Sequence, residues 1–263
     1  MEAIDYGVCR LSVVSVRTKS DARSSQITQL LFGDHYEVLE VSADKQWVRV
    51  RIFFDLSEGW IVRTQHHSIS REYFDQINQA DFKITTDITS SILYKKNYLT
   101  ILMGSIVPIS QSELFKMEEQ FAFNGEAKSL GQKRDFDFIK NVASKYLNAP
   151  EQEGGKNPFG IDAAGLNQMV FKIGGYMLAH SCERQSTQGK KIHDVEVSRP
   201  GDIAFFSSRL QQVTHTGIVL DDQRILHVHG HVRVDFLNDE GILQHDTKVY
   251  THHLHSIRRI LHD

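Results

Sequence analysis

The sequence predicts a multidomain chain: two small all-β barrels followed by an α+β domain. Three observations carry this. Short segments rich in Val, Ile and aromatics alternate at about period two through the first half. A short helical stretch divides them into two blocks. After Gly131 the apolar spacing becomes helical, and a run of strands follows.

In the first block, "VCRLSVVSVR", "HYEVLEVSA", "KQWVRVRIFF" and "EGWIVRTQ" read as strands separated by turn residues, giving a barrel over residues 1–70. Trp47 and Trp60 are assigned to packing in its core or rim. "SREYFDQINQ" reads as a helical linker. The second block, "FKITTDITSSILY", "LTILMGSIVPIS" and "LFKMEEQFAFNG", fits a shorter barrel within residues 80–128. The third domain spans 130–263. In "DFDFIKNVASKYL", Phe138, Val142 and Tyr146 fall at helical spacing, with Ile139, Ala143 and Leu147 beside them. "NAPEQEGGKNPFG" is a long turn with two Pro and three Gly. A helix opens at Asp162, which suits an N-cap, and ends at Gly174-Gly175. Its apolar face is Leu166, Met169, Val170 and Ile173. "PGDIAFF", "HTGIVL", "RILHVHG" and "HVRVDFL" follow as strands.

The chain has 263 residues, 40% of them hydrophobic and 24% charged, enough for a sizeable core and unlike a disordered protein. A net charge of −3 gives no electrostatic footprint for nucleic acid, and no basic run suits a membrane surface. Two cysteines, Cys9 and Cys182, make no disulfide framework. The first residues do not read as a secretory signal, so a cytoplasmic location is expected. Fourteen histidines are present, most of them at or beyond position 180.

Chemistry concentrates around "NPFGIDAAGLNQMVF". A nucleophile just inside that helix would gain from the helix dipole, which favours a thiolate. Ala163 and Ala164 stand there. His215 lies on the strand "THTGIVL", and His227 lies on the next, "RILHV". The short turn "DDQ" lets an antiparallel pair set these two imidazoles side by side. One would serve as base and acid, and the other would fix its tautomer.

The order "GGKNPFGIDAAGL", "RPGDIAFF", "THTGIVLDDQRILHVHGHVRVD" resembles the NlpC/p60 family of papain-like cysteine peptidases. The upstream barrels resemble the bacterial SH3 domains that precede such a domain. The resemblance covers essentially the whole chain. It implies a papain-like α+β fold, no metal or other cofactor, and cleavage of cell-wall peptides between D-glutamate and a diamino acid. It also implies a Cys–His pair with a third polar residue. The nucleophile position matches Ala163, the base His215 and the orienting residue His227. A methyl group cannot attack a carbonyl, and losing such a nucleophile costs on the order of a millionfold in turnover. The chain is therefore expected not to hydrolyse peptides by the family mechanism.

Further positions depart from the family pattern. Its Tyr-x-Trp-Gly-Gly stretch matches "PEQEGGK", which puts Glu151 and Glu153 at the cleft, where a carboxylate cannot donate to an oxyanion. Its Pro-Arg-Asp segment matches Ala179, His180 and Ser181. The expected cleft lining is Glu151, Glu153, Asp162, Ala164, His180, Ser181 and Cys182. Several altered positions favour natural loss of catalysis and a pseudoenzyme that binds a protein or peptide partner, such as a cell-wall fragment. The alternatives are a γ-D-glutamyl-diamino acid endopeptidase carrying a Cys-to-Ala change, and a histidine-based metal-binding protein. For the last, His227, His229 and His231 would share one strand face, joined by His215 or His180, though a solvated polar face is the plainer account. Cys182 is a rival nucleophile, with a small buried thiol the plainer reading. "HHLHS" reads as a surface strand.

Overall fold

Alternating Val and Ile residues close the first core. The computed structural model describes residues 2–79, 82–108, 121–208 and 212–261. They divide into two compact units, Met1–Gln132 and Lys133–Asp263.

The first unit begins with β1 (Asp5–Val8), β2 (Val13–Arg17), β3 (Gln26–Leu31), β4 (His35–Val41), β5 (Trp47–Ile52), β6 (Glu58–Val62) and β7 (Ser68–Ile69). They form one sheet in the order β3-β2-β6-β5-β4-β1-β7. Val14, Val16, Val38, Val48, Val50 and Ile61 meet in its core with Tyr36 and Cys9. Trp47 is buried. The segment expected as a single first strand is two, β1 and β2, and β3 lies in a stretch not read as a strand.

Helix α1 (Arg71–Gln79) leads to β8 (Lys83–Thr85), β9 (Thr89–Tyr94), β10 (Asn97–Leu102), β11 (Ile106–Val107), β12 (Phe121–Asn124) and β13 (Ala127–Ser129). These pair as two three-stranded sheets, β10-β9-β12 and β11-β8-β13. The expected strand residues 109, 110 and 114–120 lie outside the described residues. The two β-rich blocks share a core. Phe32, from the turn after β3, packs with Ile92, Ile101 and Val107, and its carbonyl accepts from Ile106 N at 2.8 Å.

The second unit starts with α2 (Phe136–Ser144), whose Ile139, Val142 and Ala143 are buried as the helical spacing predicts. The short hairpin β14 (Lys156–Asn157) and β15 (Gly160–Ile161) leads into α3 (Ala163–Ile173), and α4 (Cys182–Gln185) follows. The sheet contains β16 (Lys190–Ile192), β17 (Ile203–Ser207), β18 (Val213–Leu220), β19 (Arg224–His229), β20 (His231–Asn238), β21 (Gly241–Leu243) and β22 (Tyr250–Arg259). Because β22 pairs with both β17 and β21, strands β17 to β22 close into a six-stranded barrel. Ala204, Phe206, Val219, Ile225, Leu237, Ile242 and Ile257 fill it. Among the described residues, no helix is long and apolar enough to cross a membrane.

His227, His229 and His231 do not line one strand. Gly230, at φ +72°, makes the turn between β19 and β20, and His231 sits across from His229 on the next strand. A side chain at 230 would meet open space, so the backbone conformation is what suits glycine there.

Candidate active site

Helix α3 begins at a turn held by side-chain hydrogen bonds and close backbone contact. Asp162 caps it, accepting from Gly165 N at 2.6 Å and from Gly154 N at 2.8 Å. One carboxylate therefore ties the glycine turn to the helix start. Burial raises the Asp162 pKa against these hydrogen bonds. The backbone of the turn presses against the helix, and a Cβ on Gly165 would drive into the Gly155 carbonyl oxygen. Ala163 and Ala164 are both buried. The first turn of α3 thus presents methyl groups where a reactive side chain would gain from the helix dipole.

Polar contacts dock this helix on the barrel. Asn167, one turn in from Ala163, donates to Thr216 Oγ1 at 2.8 Å, and Thr216 donates to the Ala204 carbonyl at 2.9 Å. Gln185 of α4 donates to the Ala164 carbonyl at 2.9 Å. The first half of α3 is therefore bonded to the residue that adjoins His215.

His215 and His227 project from β18 and β19 toward the barrel interior, on the side that carries Val219 and Ile225. Their rings join directly, His215 Nε2 to His227 Nδ1 at 3.0 Å. His227 Nε2 in turn meets Asp235 Oδ2 at 2.9 Å. Asp235 is 2% exposed and also accepts from Arg233 Nε at 2.8 Å, Arg233 Nη2 at 3.0 Å and His245 N at 2.8 Å. That network fixes the protons. A carboxylate only accepts, so His227 carries its hydrogen on Nε2 and offers its Nδ1 lone pair to His215 Nε2–H. The lone pair left on His215 is at Nδ1, which makes that nitrogen the base. Burial would raise the Asp235 pKa, but the His227, Arg233 and His245 hydrogen bonds outweigh it and hold the carboxyl well below its usual range. Burial pushes the His215 pKa well below its ordinary value, and the adjacent His252 and His227 add to this. His227 is also lowered by burial, which outweighs the opposing pull of Asp235.

Two residues of this cluster escaped sequence reasoning. Asp235 extends the relay from two members to three. His252, expected on a surface strand, stacks on His215 with ring centroids 3.9 Å apart and planes 18° off parallel. Burial, then the neighbouring His227 and His229, push its pKa down to about 4. The sequence offered no signal for Asp235 beyond a charged residue within a strand.

The other expected cleft residues sort differently. Glu151 is exposed and accepts from Gly230 N at 2.7 Å, while its own N–H bonds the Gly230 carbonyl, so it braces the β19–β20 turn. Glu153 is exposed and His180 half-buried. Ser181 caps α4 by accepting from Arg184 N at 3.4 Å. Cys182, first in that helix, is half-buried. Burial, with the charge of Asp162 added, pushes its thiol up to about 12. A thiol so protonated at neutral pH makes a poor nucleophile.

Family models and known structures match both parts of the chain. Residues 152–259 match the NlpC/P60 family model, and residues 12–66 match the bacterial SH3 domain model. The chain is 23% identical over 217 residues to dipeptidyl-peptidase 6 of Lysinibacillus sphaericus, covering 74% of this chain and 79% of that one. A crystal structure of an NlpC/P60 family protein from Bacillus cereus superposes with a TM-score of 0.80 at 17% identity, over 97% of this chain and 99% of that one. An NlpC/P60 endopeptidase from Photobacterium damselae subsp. piscicida gives a TM-score of 0.70 at 13% identity, covering 90% of this chain and 66% of that one. These two likenesses are of fold.

Proposed function

For this NlpC/P60 peptidase-like chain with its bacterial SH3 domain, we propose a pseudoenzyme: a protein that binds a peptide, of the cell-wall fragment class, without cleaving it. The observation that carries this is the buried methyl of Ala163 at the capped start of α3. His215 keeps a lone pair and an orienting relay, yet Ala163 offers no proton to take and no atom to attack with. Cys182 does not substitute, because its thiol is held protonated. The peptide class is supported by the name of the curated relative, a dipeptidyl-peptidase. In this reading the block over 80–128 is a second SH3-like module.

The test uses the full chain and the peptide L-Ala-γ-D-Glu-diaminopimelate. Calorimetry is expected to register binding, and chromatography to find the peptide intact after long incubation. Cleavage by the unaltered protein would overturn the pseudoenzyme reading, and absence of binding would overturn the peptide reading. Ala163→Cys addresses the alternative, an endopeptidase carrying a Cys-to-Ala change, which the intact His215–His227–Asp235 relay favours. Little or no activity is expected to return, because Glu151 keeps a carboxylate where the family pattern has an aromatic donor. Substantial turnover in Ala163→Cys would establish the alternative.

A further inference from the structure

We propose that His215, His227 and His252 form a binding site for a divalent transition metal of the zinc class, at one mouth of the second unit's barrel. The ligand nitrogens of these three residues all lie within 4.8 Å of one another. They come from three strands, β18, β19 and β22, and the first two are buried. A fourth ring, His229, is exposed and lies 5.4 Å from His252 centroid to centroid.

Donor chemistry selects the occupant. Imidazoles suit zinc, copper and nickel, whereas magnesium and calcium prefer oxygen ligands. Among the described residues, the one carboxylate bonded to the cluster, that of Asp235, is already engaged by His227, Arg233 and His245 N–H. It therefore acts as an outer partner. A metal-binding histidine commonly donates its second N–H to a carboxylate, which fixes the ring and raises ligand basicity. His227 does this through Nε2 and keeps Nδ1 for the ion. His252 places Nδ1 against Thr251 Oγ1 at 2.9 Å, which leaves Nε2 as its ligand. The ion would take the place of the proton between His215 Nε2 and His227 Nδ1. His215 then carries its hydrogen on Nδ1, and no proton is released. Tetrahedral zinc sets its nitrogen ligands roughly 3.3 Å apart, so the 3.0 Å pair opens slightly and His252 swings inward.

This inference is independent of the peptide reading, and its test contains no peptide. The full chain, stripped with chelator and dialysed, is titrated with ZnCl2 by calorimetry and with CoCl2 by visible absorption. One ion per chain is expected, with the intense visible bands of tetrahedral cobalt. His252→Ala and the bulkier His252→Gln should each weaken zinc at least tenfold and abolish those bands. Their folding is checked by circular dichroism. His231→Ala and the double variant His253→Ala/His255→Ala should bind as the parent does. Failure to bind zinc would overturn the proposal, as would weak octahedral cobalt bands. So would tight binding that survives both His252 variants, or that disappears in the His253/His255 double variant.

Discussion

Asp235→Asn is the sharpest test of how the buried relay is built. The substitution keeps shape and removes charge. In the folded chain Asp235 meets His227, both arms of the Arg233 guanidinium and the His245 N–H. An amide cannot accept all four, because one of its two polar groups only donates. Arg233 retains its contact with Asp246 at 2.9 Å, but His227 stays buried with its partner altered. Breaking a buried charge pair costs 3–5 kcal/mol. The exposed end of Arg233 reduces that, so about 3 kcal/mol is expected. For a unit the size of Lys133–Asp263 this lowers Tm by about 10 °C. Scanning calorimetry reads the loss. Nitrogen-detected NMR of the imidazoles reads the second consequence, which is that His227 no longer carries its hydrogen solely on Nε2. A variant that melts within 1 °C of the parent, with the His227 tautomer unchanged, would refute the assignment of protons and of the buried charge.

Acid should loosen the same region. His215, His227 and His252 have folded pKa values below those of the unfolded chain. Below about pH 6.5 the unfolded state therefore binds protons that the folded state refuses. The stability these residues contribute is complete above that pH and is lost as pH falls toward the His252 value of about 4. Melting temperature should drop through this window, and His252→Asn should flatten the slope; an unchanged slope would remove His252 from the account. Gly165→Ala should destabilise by about 2 kcal/mol or more, since its methyl meets backbone, the Gly155 carbonyl, rather than a yielding side chain. Equal chemical denaturation midpoints for Gly165→Ala and the parent would contradict that close approach.

Legibility in the sequence followed local rules. Asp162 and the apolar face of α3 were readable because capping and helical spacing depend on neighbours within one turn. His215 and His227 were readable because a three-residue turn fixes which strands pair. Asp235 was not. Along β20, Val232, Val234 and Phe236 alternate with charged residues, so the charged side reads as facing solvent. The barrel turns Asp235 and Leu237 inward instead, while Val232 is buried on the other side. Both faces of that strand are in use, and alternation loses its meaning. His252 was hidden by a register shift. Phe205 pairs with Ser256 and Phe206 with Leu254, so His255 has no counterpart, and the side-chain alternation of β22 reverses beyond it. Counting by twos from inward Ile257 points to His255 and His253, and both are exposed. His231 was misplaced because Gly230 turns the chain where the pattern ran on. Both cases depend on pairing between strands, which a single chain segment does not encode.

The unpaired residue at His255 also sets the sequence spacing of the last strand. Deleting it would restore simple pairing with β17 and keep Leu254 opposite Phe206 and His253 opposite Ser207, so the side chains before it would hold their present faces. The third imidazole would stay stacked on His215, with His227 and Asp235 also in place. A one-codon deletion there would thus straighten the strand and spare the three-nitrogen cluster. A relative without the extra residue would carry the matching histidine one sequence position nearer to the isoleucine that matches Ile257.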